Sequence, residues 1–324
     1  MRHEILPIDA VVTWVDGNDP SFDKKISPYL DETSRNTDFI AGATRYRSVG
    51  EIYFCVASII KFAPFVRRIF IVTDNQQPKD LNAFIEEHFP HCDIEMHIID
   101  HKVIFEGYEQ YLPVFNSRAI ECMLFRIPDL SENFVYFNDD FFLVRPVAPS
   151  DWFIDDKIVA IGEWRNVFLD RLLHYIALPK NGIRPFGFKF AMTNAAKIFW
   201  KKNRYFHLEH TPHTRKKSVS AMLFEKYNEQ FLKNISYKFR NAKQFNPQEL
   251  FYLYMFSEGK LIHRKMAKSL YLKPVGRGKT YIPRKMKELD ENGLIQTCCI
   301  GSLDLATETD RATLKKWLAK IIFN

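Results

Sequence analysis

Two neighbouring carboxylates, Asp139 and Asp140, follow directly on an aromatic run in FVYFNDDFFLVRPV, residues 134 to 147. Such charges 4 Å apart repel by ~1 kcal/mol in water and by ~4 kcal/mol at an effective dielectric near 20. A strand ending this way invites a positive partner. A hard divalent cation, Mg2+ or Mn2+, takes oxygen ligands and shares them with substrate phosphates. The plainer alternative gives one Asp to a turn and the other to Arg145 or another base. Asp16, in WVDGNDP, could hold a ribose, a sugar hydroxyl or a metal, with Gly17 permitting close backbone approach; an ordinary Asp-Gly turn also explains it. His210 and His213, in HLEHTPHTRKK, suit proton removal from an attacking hydroxyl, or phosphate binding when charged. Isolated surface histidines are common, so that reading stays open. Arg240 ends SYKFR, where its planar fork suits phosphate and a surface salt bridge is its usual fate.

These residues need elements to position them. Residues 8 to 15, IDAVVTWV, are β-branched and apolar and run into turn chemistry, which predicts a buried strand. Three- and four-residue spacing of Ile52, Cys55, Val56, Ile59 and Ile60 predicts a helix from Ser48 to Phe62. Then come a strand over Ile69 to Thr73, a helix over Leu81 to Phe89, a strand over Ile94 to Ile99, a helix capped by Asn116 with Ile120, Leu124 and Ile127 inward, and a strand over Phe134 to Phe137. Strand and helix alternate, so the fold is expected to be α/β, a mostly parallel Rossmann-like sheet with ligands beyond the carboxyl ends of its strands. Asp16 with Asp19, Asp74, and Asp139 with Asp140 then outline one acidic rim. Residues 1–150 form this core. Residues 151–290 read as a mainly helical insertion or lid region, with helices at 218 to 233 and 248 to 257 and a mobile basic loop from Lys273 to Lys287. Residues 291–324 return to the core with Leu314, Trp317, Leu318 and Ile321 as an apolar stripe.

Composition sets the frame. The 324 residues are 46% hydrophobic and 26% charged, which is ordinary globular usage and long enough for a substantial core. MRHEILPIDAVVTWVDG is broken by Asp9 and Asp16, fitting neither a signal peptide nor a membrane span, so a cytoplasmic chain is expected. Five cysteines in no metal-ligand spacing read as reduced core residues. The net charge of +7, with clusters at Arg67-Arg68, Lys201-Lys202, Arg215-Lys216-Lys217 and His263 to Lys287, suits a solvated surface, a phosphate-rich ligand or an anionic membrane face. No nucleic-acid motif accompanies it, so no nucleic-acid partner is expected.

The chain resembles the Stealth family of sugar-phosphate transferases, which includes bacterial capsular polysaccharide phosphotransferases and, more distantly, the catalytic core of the lysosomal-enzyme N-acetylglucosamine-1-phosphotransferase. IDAVVTWVDGNDPSF, residues 8 to 22, resembles the family's first conserved region. Residues 45 to 153, including RYRSVGEIYFCVASIIKFAPFVRRIFIVTDNQQP, LPVFNSRAIE and IPDLSENFVYFNDDFFLVRPVAPSDWF, resemble the second. HTPH at 210 to 213, followed by Phe239-Arg240, resembles the third. In the fourth, CCIGSLD at 298 to 304, Gly301-Ser302 stand where the family usually shows Asn-Asp, and Asp304 is the nearest acid.

The resemblance implies transfer of a hexose 1-phosphate from a UDP-hexose, such as UDP-N-acetylglucosamine, to a sugar hydroxyl of a capsular or other surface polysaccharide, with UMP released. It assigns residues 1–150 to nucleotide-sugar and metal binding and 151–290 to the acceptor. Asn138, Asp139 and Asp140 would hold the divalent ion, and Arg240 with Arg45 would form the positive clamp. His210 would take the acceptor's proton. Asp16, beside Gly17, would bind donor sugar or nucleotide or serve as the base, and Asn116 would favour an anion at a helix N-terminus. Peripheral contact with the inner membrane or with capsule assembly machinery is a further implied partner. Two alternatives compete: a metal-dependent glycosyltransferase moving the sugar alone, and a non-catalytic glycan- or phosphate-binding protein, which the altered fourth region favours.

Overall fold

Six consecutive buried residues, IDAVVT, form β1 (Ile8–Thr13) at the centre of a sheet covered on both faces. The computed structural model describes residues 6–30, 46–176, 187–199, 203–264 and 269–324. β2 (Val66–Thr73) and β4 (Asn133–Asn138) run parallel to β1 on either side, and β3 (Glu95–Asp100) runs parallel to β2. Near-continuous apolar runs such as FVYF and IFIV are what a parallel sheet buried on both faces requires. Asp9 interrupts β1 yet is fully buried. Arg67 grips its two oxygens at 3.0 and 2.8 Å, and the Ser131 N–H donates to it at 2.7 Å. This fork ties β1 to the start of β2 and to the turn before β4.

The core elements fall within a few residues of expectation: helices Glu51–Phe62 and Leu81–His88 alternate with these strands. The helix after Asn116 is shorter than expected, Ser117–Glu121, and a single 3-10 turn, Leu124–Arg126, completes the segment.

The stretch 151–290, expected to be mainly helical, carries more helix than strand among the described residues but also strands that the sequence reading does not foresee. After β5 (Phe141–Leu143) come β6 (Phe153–Ile154), β7 (Lys157–Asn166), β8 (Arg204–Leu208), β9 (His213–Lys216), β10 (Leu261–Arg264) and β11 (Ser269–Leu272), interspersed with helices. β9 pairs antiparallel with β4, giving the core sheet the order β3-β2-β1-β4-β9. β7 pairs with β6, β8 and β10. The expected helix 218–233 breaks at Tyr227 into Lys217–Lys226 and Asn228–Ile235, while the next, Pro247–Ser257, starts on the capping side chain of Asn246. The basic stretch expected as a loop becomes a helix from Tyr281 to Glu291, anchored by buried Ile282 and Leu289. Arg215 and Lys216, read as surface charge, are also inside: Arg215 bonds Ser220 and Gln248 and lies over the Phe251 ring.

The C-terminal segment returns to the core. β12 (Thr297–Ile300) pairs with β5 and β11, and the last helix, Glu308–Phe323, buries Leu314, Trp317, Leu318 and Ile322. Four of the five free cysteines are buried. No helix among the described residues is long and apolar enough to cross a membrane.

Candidate active site

The carboxyl ends of β1, β2 and β4 open into a cleft of about 260 Å³. Its lining includes Thr13, Glu51, Asp74, His101, Asn138, Asp139, Asp140 and Arg240. Parallel strands put these ends on one edge of the sheet, where backbone and side chains converge on a ligand.

Asp139 and Asp140 face this cleft with protein around their other sides. Burial, then the neighbouring Glu51 and Asp140 charges, pushes the Asp139 carboxyl well above its ordinary range. Burial likewise raises Asp140, to about 6, with Glu51 adding to the rise and the Cys299 thiol and Arg240 opposing it. Glu51, in the first turn of its helix, is itself raised by burial. Arg145 does not neutralise the pair; it donates to the carbonyls of Ile295 and Leu289 at 2.6 and 2.5 Å and so pins the C-terminal segment. Neither Asp139 nor Asp140 forms an ion pair among the described residues. Carboxylates that raise one another's pKa in a partly dry cleft fit a hard cation. Among the described residues no three His, Cys, Asp or Glu side chains close a complete metal cage. An ion here would therefore complete its shell with water or substrate oxygens, as Mg2+ commonly does.

Asn138 sits one residue before the pair, but its carbonyl oxygen turns inward, accepting from the Tyr136 hydroxyl at 2.6 Å and from Thr13 at 3.4 Å. It fixes the strand end on which the acids stand. Asn116 is also committed to structure: its oxygen caps Ala119 N–H at 3.1 Å and accepts from Gln244, while its amide donates to the Tyr237 carbonyl at 2.6 Å. With its amide and its oxygen both bonded within the protein, it lines the cleft as a brace for the segment that carries Arg240. Arg240 itself faces the cleft and reaches Ser117 Oγ at 3.4 Å.

Asp16 lies on the loop after β1, outside the cleft lining. Its Oδ1 accepts from the Asn18 backbone and side-chain amides at 2.9 and 2.8 Å, and Gln76 braces the loop from β2. Gly17 is required by close approach: its N–H donates to the Tyr46 carbonyl at 2.6 Å, and a Cβ would stand 2.7 Å from Tyr46 backbone. Arg45 falls outside the described residues.

His210 borders a second cavity of about 430 Å³, lined also by Phe188, Lys189, Thr193, His207, Glu209 and Tyr271. Its ring is sandwiched between Phe188 at 5.1 Å and Tyr271 at 4.8 Å. Burial, then the Arg240 charge, lowers it to about 4, so the imidazole is neutral near pH 7. The β4–β9 ladder ends where Tyr136 pairs with His213, so Asp139 and His210 each lie three residues beyond that last pair. Arg240, in the cleft lining, acts electrostatically on both Asp140 and His210. His213, by contrast, is core, ringed by Tyr136, Phe141 and Tyr252.

Sequence reading missed Glu51, His101 and Tyr271. Glu51 had a signal, a lone acid opening an apolar helix. The Tyr271 position had none, since only the fold carries it to His210. Gly301, in the altered fourth region, makes room for that tyrosine: a Cβ there would meet the Tyr271 hydroxyl at 2.9 Å. Asp304 lies outside the cleft lining but near enough to raise Glu51.

Residues 6–34 match Stealth protein CR1, conserved region 1, and residues 45–161 match Stealth protein CR2, conserved region 2. The capsular polysaccharide phosphotransferase fcs1 of Haemophilus influenzae is 33% identical over 264 residues, covering 79% of this chain and 67% of that protein. The capsular polysaccharide phosphotransferase cps1A of Actinobacillus pleuropneumoniae is 32% identical over 255 residues, 78% of this chain and 66% of the relative. The exopolysaccharide phosphotransferase cps2G of Lactiplantibacillus plantarum is 31% identical, covering 72% and 71%. Other relatives are much longer than the match; cps12A of A. pleuropneumoniae is covered over 39% of its length. Among solved structures, the WbbM bifunctional glycosyltransferase superposes with a TM-score of 0.51 at 10% identity, over 100% of this chain and 51% of that one, a likeness of fold. The chain belongs to the Stealth family.

Proposed function

We propose that the protein transfers a hexose 1-phosphate from a UDP-hexose to a hydroxyl of a second sugar, building phosphodiester links of a bacterial surface polysaccharide. The observation that carries this reading is the pair of half-buried, mutually repelling acids, Asp139 and Asp140, sharing one cleft with Arg240. Phosphoryl transfer asks mainly for positioning and charge neutralisation around a diphosphate. A divalent ion held by Asp139 and Asp140, with Glu51 behind them, would supply most of that neutralisation. Arg240 would donate its fork to the phosphoryl oxygens. The neutral His210, at the border of the second cavity, would accept the proton of the incoming hydroxyl. The hydroxyl oxygen bonds to the phosphorus that carries the hexose, and the bond from that phosphorus to the bridging oxygen breaks. UMP leaves with the electron pair, and the anomeric carbon is untouched, so sugar configuration is retained.

In this reading the Asp16–Gly17 loop flanks the donor, and the second cavity receives the acceptor glycan. The basic stretch 273–287 suits a peripheral contact with an anionic membrane face or assembly machinery. The reaction is tested by incubating the protein with UDP-N-acetylglucosamine or other UDP-hexoses, Mg2+ and oligosaccharide acceptors. UMP and a phosphodiester signal in 31P spectra are expected. Release of UDP instead would establish the second reading, a metal-dependent glycosyltransferase, which the fold likeness favours; binding without any turnover across the panel would leave a glycan- or phosphate-binding protein.

A further inference from the structure

His101 is not absorbed by that chemistry. It follows directly on β3, its ring is buried at 4% exposure, and it lines the same cleft as Asp139 and Asp140. Neither Nδ1 nor Nε2 has a hydrogen-bond partner, and among the described residues no other imidazole has both nitrogens buried in that state. Buried polar atoms left this way are rare and call for an explanation such as a ligand.

Its position and its surroundings define the ligand. In the order β3-β2-β1-β4, three strand spacings separate it from the acid pair, about 14 Å at ~4.8 Å each. A group that reaches it therefore lies well beyond the phosphates placed at Asp139 and Asp140. The charges around it are Asp74, Asp100 and Lys25. Asp74 and Lys25 satisfy each other at 2.9 Å, and Asp100 is tied to the backbone amides of Asn75 and Lys102. Burial lowers the imidazole to about 4, leaving it neutral, with one N–H donor and one lone-pair acceptor. A neutral donor–acceptor at the far end of a diphosphate cleft matches a neutral polar group, not another phosphate.

We propose that His101 is a specificity-determining residue that recognises the nucleoside of the donor by hydrogen bonding its ribose hydroxyl or base edge. This rests on the donor reading above, and the test separates the two. Binding of UMP, 2′-deoxy-UMP and pyrophosphate to the full chain is measured by calorimetry with Mg2+, for the wild type, His101→Phe and His101→Gln. Phe keeps the ring volume without nitrogens, and Gln restores a donor and an acceptor. UMP affinity should fall at least about tenfold in His101→Phe, the loss expected of about one good hydrogen bond. It should recover in part in His101→Gln, and pyrophosphate affinity should stay unchanged. In turnover, donor KM should rise with little change in kcat. Loss of the wild-type advantage with 2′-deoxy-UMP would place the contact on the ribose, and its persistence would place it elsewhere on the nucleoside; either supports the proposal. Equal UMP affinity in wild type and His101→Phe overturns the His101 assignment alone. Failure of the wild type to bind UMP overturns the donor reading and the assignment with it.

Discussion

The acid-lined cleft and the cavity beside His210 are built in opposite ways. In the cleft, Asp74 and Asp139 stand directly after buried strands and Asp140 one residue further on, so rigid sheet geometry fixes them and the repulsion between Asp139 and Asp140 is stored in the fold. At the second cavity the key imidazole is held by rings from two distant segments, Phe188 and Tyr271, with no strand of its own beneath it. The cleft gathers carboxylates, whereas the cavity presents aromatic faces beside Asp170, Lys189 and Glu209, and in the proposed reaction the first would take the diphosphate and the second the acceptor sugar. Arg240 is the group that both Asp140 and His210 feel.

The difference can be broken most forcefully at the acids. Asp140→Ala or Asp139→Ala should lower turnover at least about 10²-fold, the scale of losing a charge-stabilising or acid–base group. The fold should survive, because removing one of two repelling carboxylates relieves the metal-free protein. Steady-state UMP release together with a thermal melt checks both halves. A folded Asp140→Ala protein with a near-normal rate would remove the acids from the mechanism.

His210 separates stacking from proton transfer. His210→Phe keeps a ring between Phe188 and Tyr271, whereas His210→Ala removes it. If the nitrogen matters, both should lose about 10²-fold in turnover. If His210 only packs, the Phe variant should remain active while the Ala variant loses acceptor affinity. Since the imidazole is lowered to about 4, the pH–rate profile of the wild type should show no His210 limb between pH 6 and 8.

These two regions also differ in how legible they were. The core strands and their mostly parallel pairing follow from short apolar runs ending in Asp-bearing turns, signals that local chemistry writes into neighbouring residues; of the expected acidic rim, Asp74, Asp139 and Asp140 line the cleft while Asp16 and Asp19 stand outside its lining. Asn116 was rightly placed at a helix start, but its anion-binding role gives way to bracing, because only the fold shows the Tyr237 carbonyl and Gln244 against it. The strands of the 151–290 region escape sequence reading for a related reason. KIVAIGEW and RYFHL carry β-branched and aromatic residues; the short strand Phe153–Ile154 reaches KIVAIGEW through a two-residue turn, but β7 meets β8 and β10 only across tens of residues, and no local spacing announces those pairings. Likewise Arg215 in a run of bases looked solvated, although a buried glutamine, a serine and a phenyl face await it.

Bracing is measurable. Asn116→Ala removes a helix cap and leaves Gln244 and the Tyr237 carbonyl short of partners, which should cost about 1–3 kcal/mol of stability. Because the Arg240 segment hangs on that side chain, turnover should fall by a smaller factor than in Asp140→Ala. Denaturant unfolding and kinetics on the same variant give both numbers.

Three histidines, His207 and His210 on the second cavity and His213 in the core, predict acid lability. Burial lowers His213 to about 3 and His207 and His210 to about 4, below the ordinary 6.5. A group with a depressed folded pKa favours folding above its unfolded pKa. That contribution is lost as pH falls from about 6.5 towards 3, where the folded state finally takes the proton as well. The melting temperature should therefore drop across that window. His213→Phe, which keeps a ring among Tyr136, Phe141 and Tyr252, should flatten the drop by a few degrees at pH 4–5 and change little at pH 8.

The smallest effect is expected where the C-terminal strand touches the acid pair. The Cys299 thiol donates to Asp140 Oδ2 at 3.5 Å, and the next residue's N–H donates to the Asp140 carbonyl at 3.1 Å. Burial, then the Asp140 charge, raises the thiol well above its ordinary range, so it is a protonated, weak donor and no nucleophile. Cys299→Ala removes the weak bond but keeps the backbone one that sets the position of Asp140. Turnover should change by less than about tenfold, and Cys299→Ser, a better donor, should stay closer to the wild type. A loss in Cys299→Ala as deep as that in Asp140→Ala would mean the thiol, through its single contact, governs how Asp140 carries charge, and the preorganisation of the cleft would then belong as much to β12 as to β4.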